Sequence, residues 1–155
     1  MGIIKREEIP AFMFIGEYHH TLDDKGRMSV PVAFRTDLAH GAVVTRGLDR
    51  SLFLYPKKEW ERLAQKLAAL PLGQSDTRAF ARLMLAGAMV AEIDGSGRIS
   101  VPPYLRTYAG LLKRVVITGL YDRIEIWDEE TWNAYRSRTE AEGNAIAERL
   151  GDKGV

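Results

Sequence analysis

The chain states one phrase twice, and that repetition limits what it can fold into. Asp23–Thr36, "DDKGRMSVPVAFRT", matches Asp94–Thr107, "DGSGRISVPPYLRT", at eight of fourteen positions: Asp, Gly, Arg, Ser, Val, Pro, Arg and Thr. The match extends outward, Gly16 with Gly87 and Leu22 with Ile93. After a one-residue slip, Gly47-Leu48 aligns with Gly119-Leu120, Leu54-Tyr55 with Ile126-Trp127, and Trp60 with Trp132. The unit spans about 45 residues and occurs twice. This is a duplicated domain and not a solenoid, whose stability needs a longer array. A unit this small buries too little core to stand alone. The simplest remedy is a pseudo-twofold packing in which strands of one copy complete the sheet of the other. Such symmetry brings both turns, with Arg27 and Arg98, to one face.

Both units predict the same order of elements. "EYHHTL" and "AMVAEI" read as short strands ahead of the aspartate. "DDKG" and "DGSG" are turns, in which Asp serves local backbone amides and Gly takes positive φ. "RMSV" and "RISV" alternate polar and apolar residues, as half-buried strands do. Pro31 and Pro102 suit the first position of a short helix, where no N–H is needed, with Ser29 and Ser100 near the cap. Gly41 and Gly110 suit the helix exits. "AVVTRGLDRSLFLYP" and "RVVITGLYDRIEIWD" each read as strand, turn, strand.

Helices follow each unit, so the fold class is α+β. In "KKEWERLAQKLAAL" Trp60, Leu63, Leu67 and Leu70 share one face. "SDTRAFARLMLAG" opens on a Ser or Asp cap and groups Phe80, Leu83 and Met84. "DEETWNAYRSRTEAEGNAIAERL" opens on an Asp cap with acids in its first turn, aligns Trp132 with Tyr135, and meets a breaker at Gly143. "PLGQS", residues 71–75, is the clearest linker. The expected organisation is an N-terminal extension at 1–13, a first repeat at 17–63 and a helical linker at 64–87. A second repeat at 88–133 and a C-terminal helix and tail at 134–155 complete it.

Composition removes several classes of function. Lys and Arg number 22 against 21 Asp and Glu, a formal net charge of +1. A surface for nucleic acid must therefore come from local clustering or from assembly. Cysteine is absent, which excludes disulfides and thiolate metal sites and fits a reducing cytoplasm. No apolar run nears the roughly 18 residues of a membrane span. The opening "MGIIKREEIPAFMFIG" lacks signal-peptide order, and Arg6 stands where a myristoylated Gly2 would require Ser or Thr.

Catalytic constellations are missing. His19 and His20 are adjacent, so a strand points them to opposite faces. There is no phosphate loop, nucleophile elbow or paired-histidine helix motif. Asp23-Asp24 becomes Asp94-Gly95 in the second copy, which breaks any carboxylate pair. The expectation is a protein that is not an enzyme, with no metal and no cofactor.

The repeated phrase carries the remaining candidates. Asp23, Gly26, Asp94 and Gly97 read as structural turn residues. Arg27 and Arg98 either pair with those acids or project outward, where a guanidinium donates bidentate hydrogen bonds to phosphate or to guanine edges. Lys25 at the first tip, and Ser96 at the second, are either phosphate partners or plain solvated residues. Arg35 and Arg106 either anchor acids internally or face phosphate. Arg46, Arg50, Lys113, Arg114 and Arg123 read mostly as solvated charge, and Trp60 and Trp132 as core or interface anchors.

At this point the residues carry a resemblance. "MFIGEYHHTLDDKGRMSVPVAFR", "LYPKKEW", "DGSGRISVPPYLR" and "GLYDRIEIWDEETW" closely resemble the MraZ family of bacterial regulators, of the AbrB/SpoVT-like swapped-hairpin class, from about Met13 to about Tyr135. The resemblance implies two AbrB-like swapped-hairpin β-barrel halves interlocked within one chain. It implies ring-shaped homo-oligomers, cytoplasmic and nucleoid-associated, that bind double-stranded DNA. It implies repression of the promoter of a division and cell-wall gene cluster that begins with the protein's own gene, through short G-rich direct repeats. By the same resemblance Lys25, Arg27 and Arg98 fall where DNA contacts lie, while Ser96 replaces a basic residue. A ring repeats one turn many times, and such avidity raises a weak unit affinity roughly 10²–10⁴-fold. The alternative is an oligomeric scaffold that binds protein through its Trp- and Leu-bearing helices.

Overall fold

A computed structural model describes residues 13–154. The expected N-terminal extension, apart from Met13, lies outside the described residues, as do Gly2 and Val155. The first copy runs β1 (Phe14–Thr21), β2 (Arg27–Ser29), α1 (Val32–Leu38), β3 (Ala42–Arg46) and β4 (Leu52–Pro56). Helices α2 (Lys57–Ala68) and α3 (Ser75–Ala81) lead to the second copy: β5 (Met89–Ala91), β6 (Arg98–Ser100), α4 (Pro103–Ala109), β7 (Arg114–Tyr121) and β8 (Ile124–Asp128). Helices α5 (Glu129–Ala141) and α6 (Gly143–Arg149) follow. The chain is thus a mixed α+β fold built from a duplicated unit.

The copies exchange strands. An antiparallel sheet runs β1-β7-β8-β4-β3-β5, so the first strand of each copy pairs with the third strand of the other. The seam at its centre joins Leu52 to Ile126, Phe53 to Glu125 and Leu54 to Ile124, a register symmetric about Phe53 and Glu125. A two-stranded ribbon joins β2 to β6 with Arg27 opposite Ser100, Met28 opposite Ile99 and Ser29 opposite Arg98. Val30 N donates to Gly97 O and Val101 N to Gly26 O, both at 2.9 Å, and extend the ribbon equally at each end. The central seam and the ribbon each map onto themselves when the copies are exchanged, and the β1–β7 pairing maps onto β5–β3, as a local twofold axis requires.

The main core lies on that axis. Met28 and Ile99, Val30 and Val101, and Phe34 and Leu105 are equivalent pairs, all buried, packed with Leu52, Leu54, Ile117, Ile124 and Ile126. Burying each such side chain stabilises the fold by roughly 1.5–3 kcal/mol. Since each pair is split between copies, neither half keeps this core by itself.

The ribbon also decides where the short helices begin. Val30 and Val101 are still tied into the ladder, so the chain stays extended through Pro31 (ψ 135°) and Pro102 (ψ 153°). The two prolines therefore precede the first turn instead of opening it, and Pro103 takes the first turn of α4. Ser29 and Ser100 belong to strands and cap nothing.

Symmetry fails around α3. That helix continues as a π-helical turn, Arg82–Ala86, which takes up residues aligned with the start of β1 and leaves β5 only three residues long. The expected apolar grouping is split: Met84 is buried, whereas Phe80 is exposed. Gln74 stands at the cap of α3 without a side-chain cap bond, so neither Ser75 nor Asp76 caps it. Met84 joins Phe53, Tyr55 and Leu67 in a second cluster, covered by Trp60, Leu63 and Leu70 of the expected α2 stripe. Thr45 Oγ1 seals the join by donating to Met84 O at 2.6 Å.

Helix α5 docks differently. Asp128 caps it as expected, its carboxylate accepting from Glu130 N at 3.2 Å. Trp132 lies 5.3 Å from Trp127 between ring centroids, and Tyr135 lies 5.1 Å from Trp127. Glu17 of β1 ties the helix down, accepting from Trp132 Nε1 at 2.8 Å and from Arg136 Nη1 at 2.9 Å. Burial alone would raise the Glu17 pKa, but these bonds and His19 outweigh it and hold the carboxyl below its ordinary value. The helix ends at Ala141 and α6 starts at Gly143, where a breaker is expected.

Candidate functional site

The two repeated turns stand at opposite ends of the short ribbon, and each is built the same way. Asp23 Oδ1 accepts from Lys25 N at 2.9 Å and from Arg27 N at 2.8 Å. Its Oδ2 accepts from Arg27 Nε at 2.7 Å. Asp94 Oδ1 likewise accepts from Ser96 N at 2.8 Å and Arg98 N at 3.0 Å, and its Oδ2 from Arg98 Nε at 3.1 Å. Hydrogen bonds to the charged form lower a carboxyl pKa. The backbone amide of Arg27, its guanidinium and the Lys25 amide hold Asp23 below its usual range, and the Arg98 and Ser96 amides with the Arg98 guanidinium do so for Asp94.

The turns are not fully alike. Arg98 Nη1 also lies 3.8 Å from Asp23 Oδ2. The Asp23 carboxylate is therefore shared by both arginines across the axis. The expected alternatives for Arg27 and Arg98 turn out to be compatible. Each guanidinium is gripped by aspartate at Nε, its inner corner, and each side chain is still about one-third exposed, at 32% and 31%. Lys25, Asp24, Gly95 and Ser96 are exposed at the tips.

Strand alternation sorts the ribbon into two faces. Met28 and Ile99 point into the core, while Arg27, Ser29, Arg98 and Ser100 share the outer face. The two serines were not among the expected site residues, although the period of two in "RMS" and "RIS" already puts them beside the arginines.

Arg35 and Arg106 each make a contact that the sequence does not announce. A Cβ on Gly26 would run into the Arg106 guanidinium and lie 3.1 Å from Val101 O. A Cβ on Gly97 would run into the guanidinium of Arg35. Each short helix thus lays its arginine over the turn of the other copy, and both glycines take φ of +77° beneath it. Arg35 Nε donates to Val30 O at 2.8 Å. Among the described residues, no ion pair joins either arginine to a carboxylate. The crossing depends on strand exchange, so one-dimensional pattern carries no signal for it.

Other cations expected as solvated charge are partly engaged. Arg46 lies 5.8 Å from the Tyr104 ring centroid and 5.9 Å from that of Tyr108. Arg123 sits over Phe53 at 5.1 Å and pairs with Glu125 at 3.6 Å. Arg114 reaches Glu129 at 3.8 Å. Among the described residues, no group of three or more His, Asp or Glu side chains is arranged to hold a metal ion. No helix among them is long and apolar enough to cross a membrane.

The site offers donors more than net charge. The turns and the strand starts carry Lys25, Arg27 and Arg98 beside Asp23, Asp24 and Asp94, so the formal charge there is balanced. Guanidinium groups held at Nε and still partly exposed suit an acceptor-rich partner.

Comparison with known proteins follows the duplication. The family model described as "MraZ protein, putative antitoxin-like" matches twice, at residues 13–83 and 84–153. The chain is similar to the protein named Transcriptional regulator MraZ from Natranaerobius thermophilus, at 49% identity over 140 residues, covering 90% of this chain and 98% of the relative. The protein of the same name from Carboxydothermus hydrogenoformans is 48% identical over the same shares of both chains. That from Leuconostoc citreum is 49% identical, again over 90% of this chain and 98% of its own.

Proposed function

We propose, because the chain belongs to the MraZ family, that it is a transcriptional regulator and not an enzyme, and that it acts by binding double-stranded DNA through its paired turns. The observation that carries this reading is the outer face of the ribbon. Arg27 and Arg98 lie diagonally across it, each gripped at Nε, with Ser29 and Ser100 between them and the exposed Lys25 and Ser96 at the tips. Arginine held in this way can donate to phosphate oxygens or to the O6 and N7 of guanine in the major groove. Lys25 adds a phosphate contact at one end, and Ser96 offers only a hydroxyl at the other. Arg35 and Arg106 lie over the opposite turns and are placed to add phosphate contacts.

The finer reading has the two copies as interlocked swapped-hairpin halves of a small barrel, with repeats at 17–63 and 88–133, a helical linker at 64–87 and a C-terminal helix and tail at 134–155. The strand exchange between β1 and β7 and between β5 and β3 supports it. Several chains assemble into a ring, which offsets the small net charge by repeating the turn. The ring binds short G-rich direct repeats and represses the promoter of its own division and cell-wall gene cluster. The protein works in the cytoplasm, at the nucleoid.

A gel-shift with the DNA upstream of the protein's own gene tests the reading. Binding is expected at low salt, with log K falling by about 0.9 per log unit of salt for each phosphate neutralised. Arg27→Ala and Arg98→Ala each weaken it. An assembly that binds no duplex at low salt, or that binds equally well after both substitutions, overturns the proposal and favours the protein-binding scaffold.

A further inference from the structure

We infer that Asp23 and Asp94 are positioning residues for DNA discrimination, and that Asp23, through its contact with Arg98 of the other copy, sets the pose of both arginines while Asp94 sets only one. The inference rests on the DNA-binding reading and deepens it. Each aspartate divides its carboxylate between two tasks. One oxygen builds the turn, accepting from the amides of Lys25 and Arg27 in the first copy and of Ser96 and Arg98 in the second. The other oxygen takes the guanidinium at Nε, at 2.7 Å and 3.1 Å.

That division matters because of where Nε sits. A guanidinium is a rigid planar fork, so a bond at the inner corner fixes the plane and direction of the outer edge. The outer edge is what reads a guanine or spans a phosphate. Without the aspartate, a partly exposed arginine samples many rotamers and loses that entropy on binding. The turn itself does not need the second oxygen.

The two turns differ in one respect. Asp23 Oδ2 lies 3.8 Å from Arg98 Nη1 as well as 2.7 Å from Arg27 Nε. The second arginine is thus steadied from both sides, by Asp94 in its own copy and by Asp23 across the axis. The first arginine has Asp23.

This leads to an experiment in which two explanations have opposite signs. Asp23→Asn keeps an oxygen for the two turn amides and removes the anionic partner of the guanidinium. A negative charge facing DNA opposes binding, so on electrostatics alone its loss tightens binding to every duplex. If Asp23 positions the arginines, its loss weakens binding to the cognate duplex while binding to other DNA holds or rises. The ratio of the two affinities is the readout. The probes are the duplex upstream of the protein's own gene and a shuffled duplex of equal length and composition, titrated at the same salt. Thermal melts and circular dichroism of each variant check that the fold is retained.

A single arginine-to-base contact carries roughly 5- to 150-fold of discrimination. The expected result is a fall of that order in the ratio for Asp94→Asn, and a larger fall for Asp23→Asn. Binding of both duplexes tightened together, or a ratio unchanged in a folded variant, overturns the inference while leaving the DNA-binding reading intact. Equal losses from the two variants overturn the claim that Asp23 serves both arginines. A wild-type protein that binds neither duplex overturns the DNA-binding reading itself, and the inference with it.

Discussion

Truncating the pair on the local axis tests whether the copies are one folding unit. Met28 is fully buried and Ile99 is 1% exposed, and they face each other across the ribbon. Each belongs to a different copy, and each projects into the same core. Met28→Ala or Ile99→Ala therefore leaves a cavity that both halves line, at a cost of about 2–5 kcal/mol. A domain of this size loses roughly 2–4 °C in Tm per kcal/mol, so each variant melts roughly 4–20 °C lower. Because the two side chains touch one space, the double variant departs from additivity by about 0.5–3 kcal/mol. The assay is urea denaturation at one fixed protein concentration, followed by tryptophan fluorescence and by far-ultraviolet circular dichroism. Trp60 reports on the first copy, and Trp127 and Trp132 on the second. Coincident single transitions are expected in all variants, shifted to lower urea. Two separable transitions, or a strictly additive double variant with each cost below about 1 kcal/mol, would refute the shared core.

Three further outcomes follow from the same structure. Gly26→Ala and Gly97→Ala each lower stability by about 1–2 kcal/mol for the left-handed backbone alone, and more once the overlying Arg106 or Arg35 is displaced. Gly95→Ala, which meets nothing within 4 Å, stays within about 0.5 kcal/mol, and thermal melts compare the three. His20 is held below its ordinary pKa of 6.5 by burial first and then by the charges of Arg35 and His19. The unfolded chain therefore takes the proton first. The contribution is complete above about pH 6.5 and is lost as the pH falls, so wild-type Tm declines from about pH 7 to about pH 5 while His20→Gln flattens the slope. Glu17→Gln weakens the tie to Trp132 and Arg136 and costs about 1 kcal/mol, with faster amide exchange in α5 than in α2 as its signature.

Much of this architecture is legible before any coordinates. The repeat at Asp23 and Asp94 predicts a local twofold, and alternation in "RMS" and "RIS" predicts which residues face inward. Legibility ends where two distant segments meet. Nothing in "VAFRT" or "PYLRT" says that Arg35 will cover Gly97 or Arg106 will cover Gly26, because those contacts exist only after the strands are exchanged. Proline pattern alone misjudges the helix starts, since the ladder bonds of Val30 and Val101 override local preference. The π-helical turn before Gly87 has no compositional cue. The shared carboxylate of Asp23 is least legible, for it is an inequality between two motifs that read as equals.

That inequality gives the ribbon a direction. Two identical chains meeting on a true twofold axis must present the same tip at both ends, and such a surface cannot tell one strand's left from its right. Here the symmetry partner is covalently joined to its mate, so each end has been free to change by itself. One end carries Lys25 and the doubly engaged Asp23, and the other carries Ser96 and an aspartate that serves one arginine. A linear partner laid across the ribbon meets unlike ends, and reversing it is a different complex. Joining the two copies in one chain turns a two-way grip into an arrow.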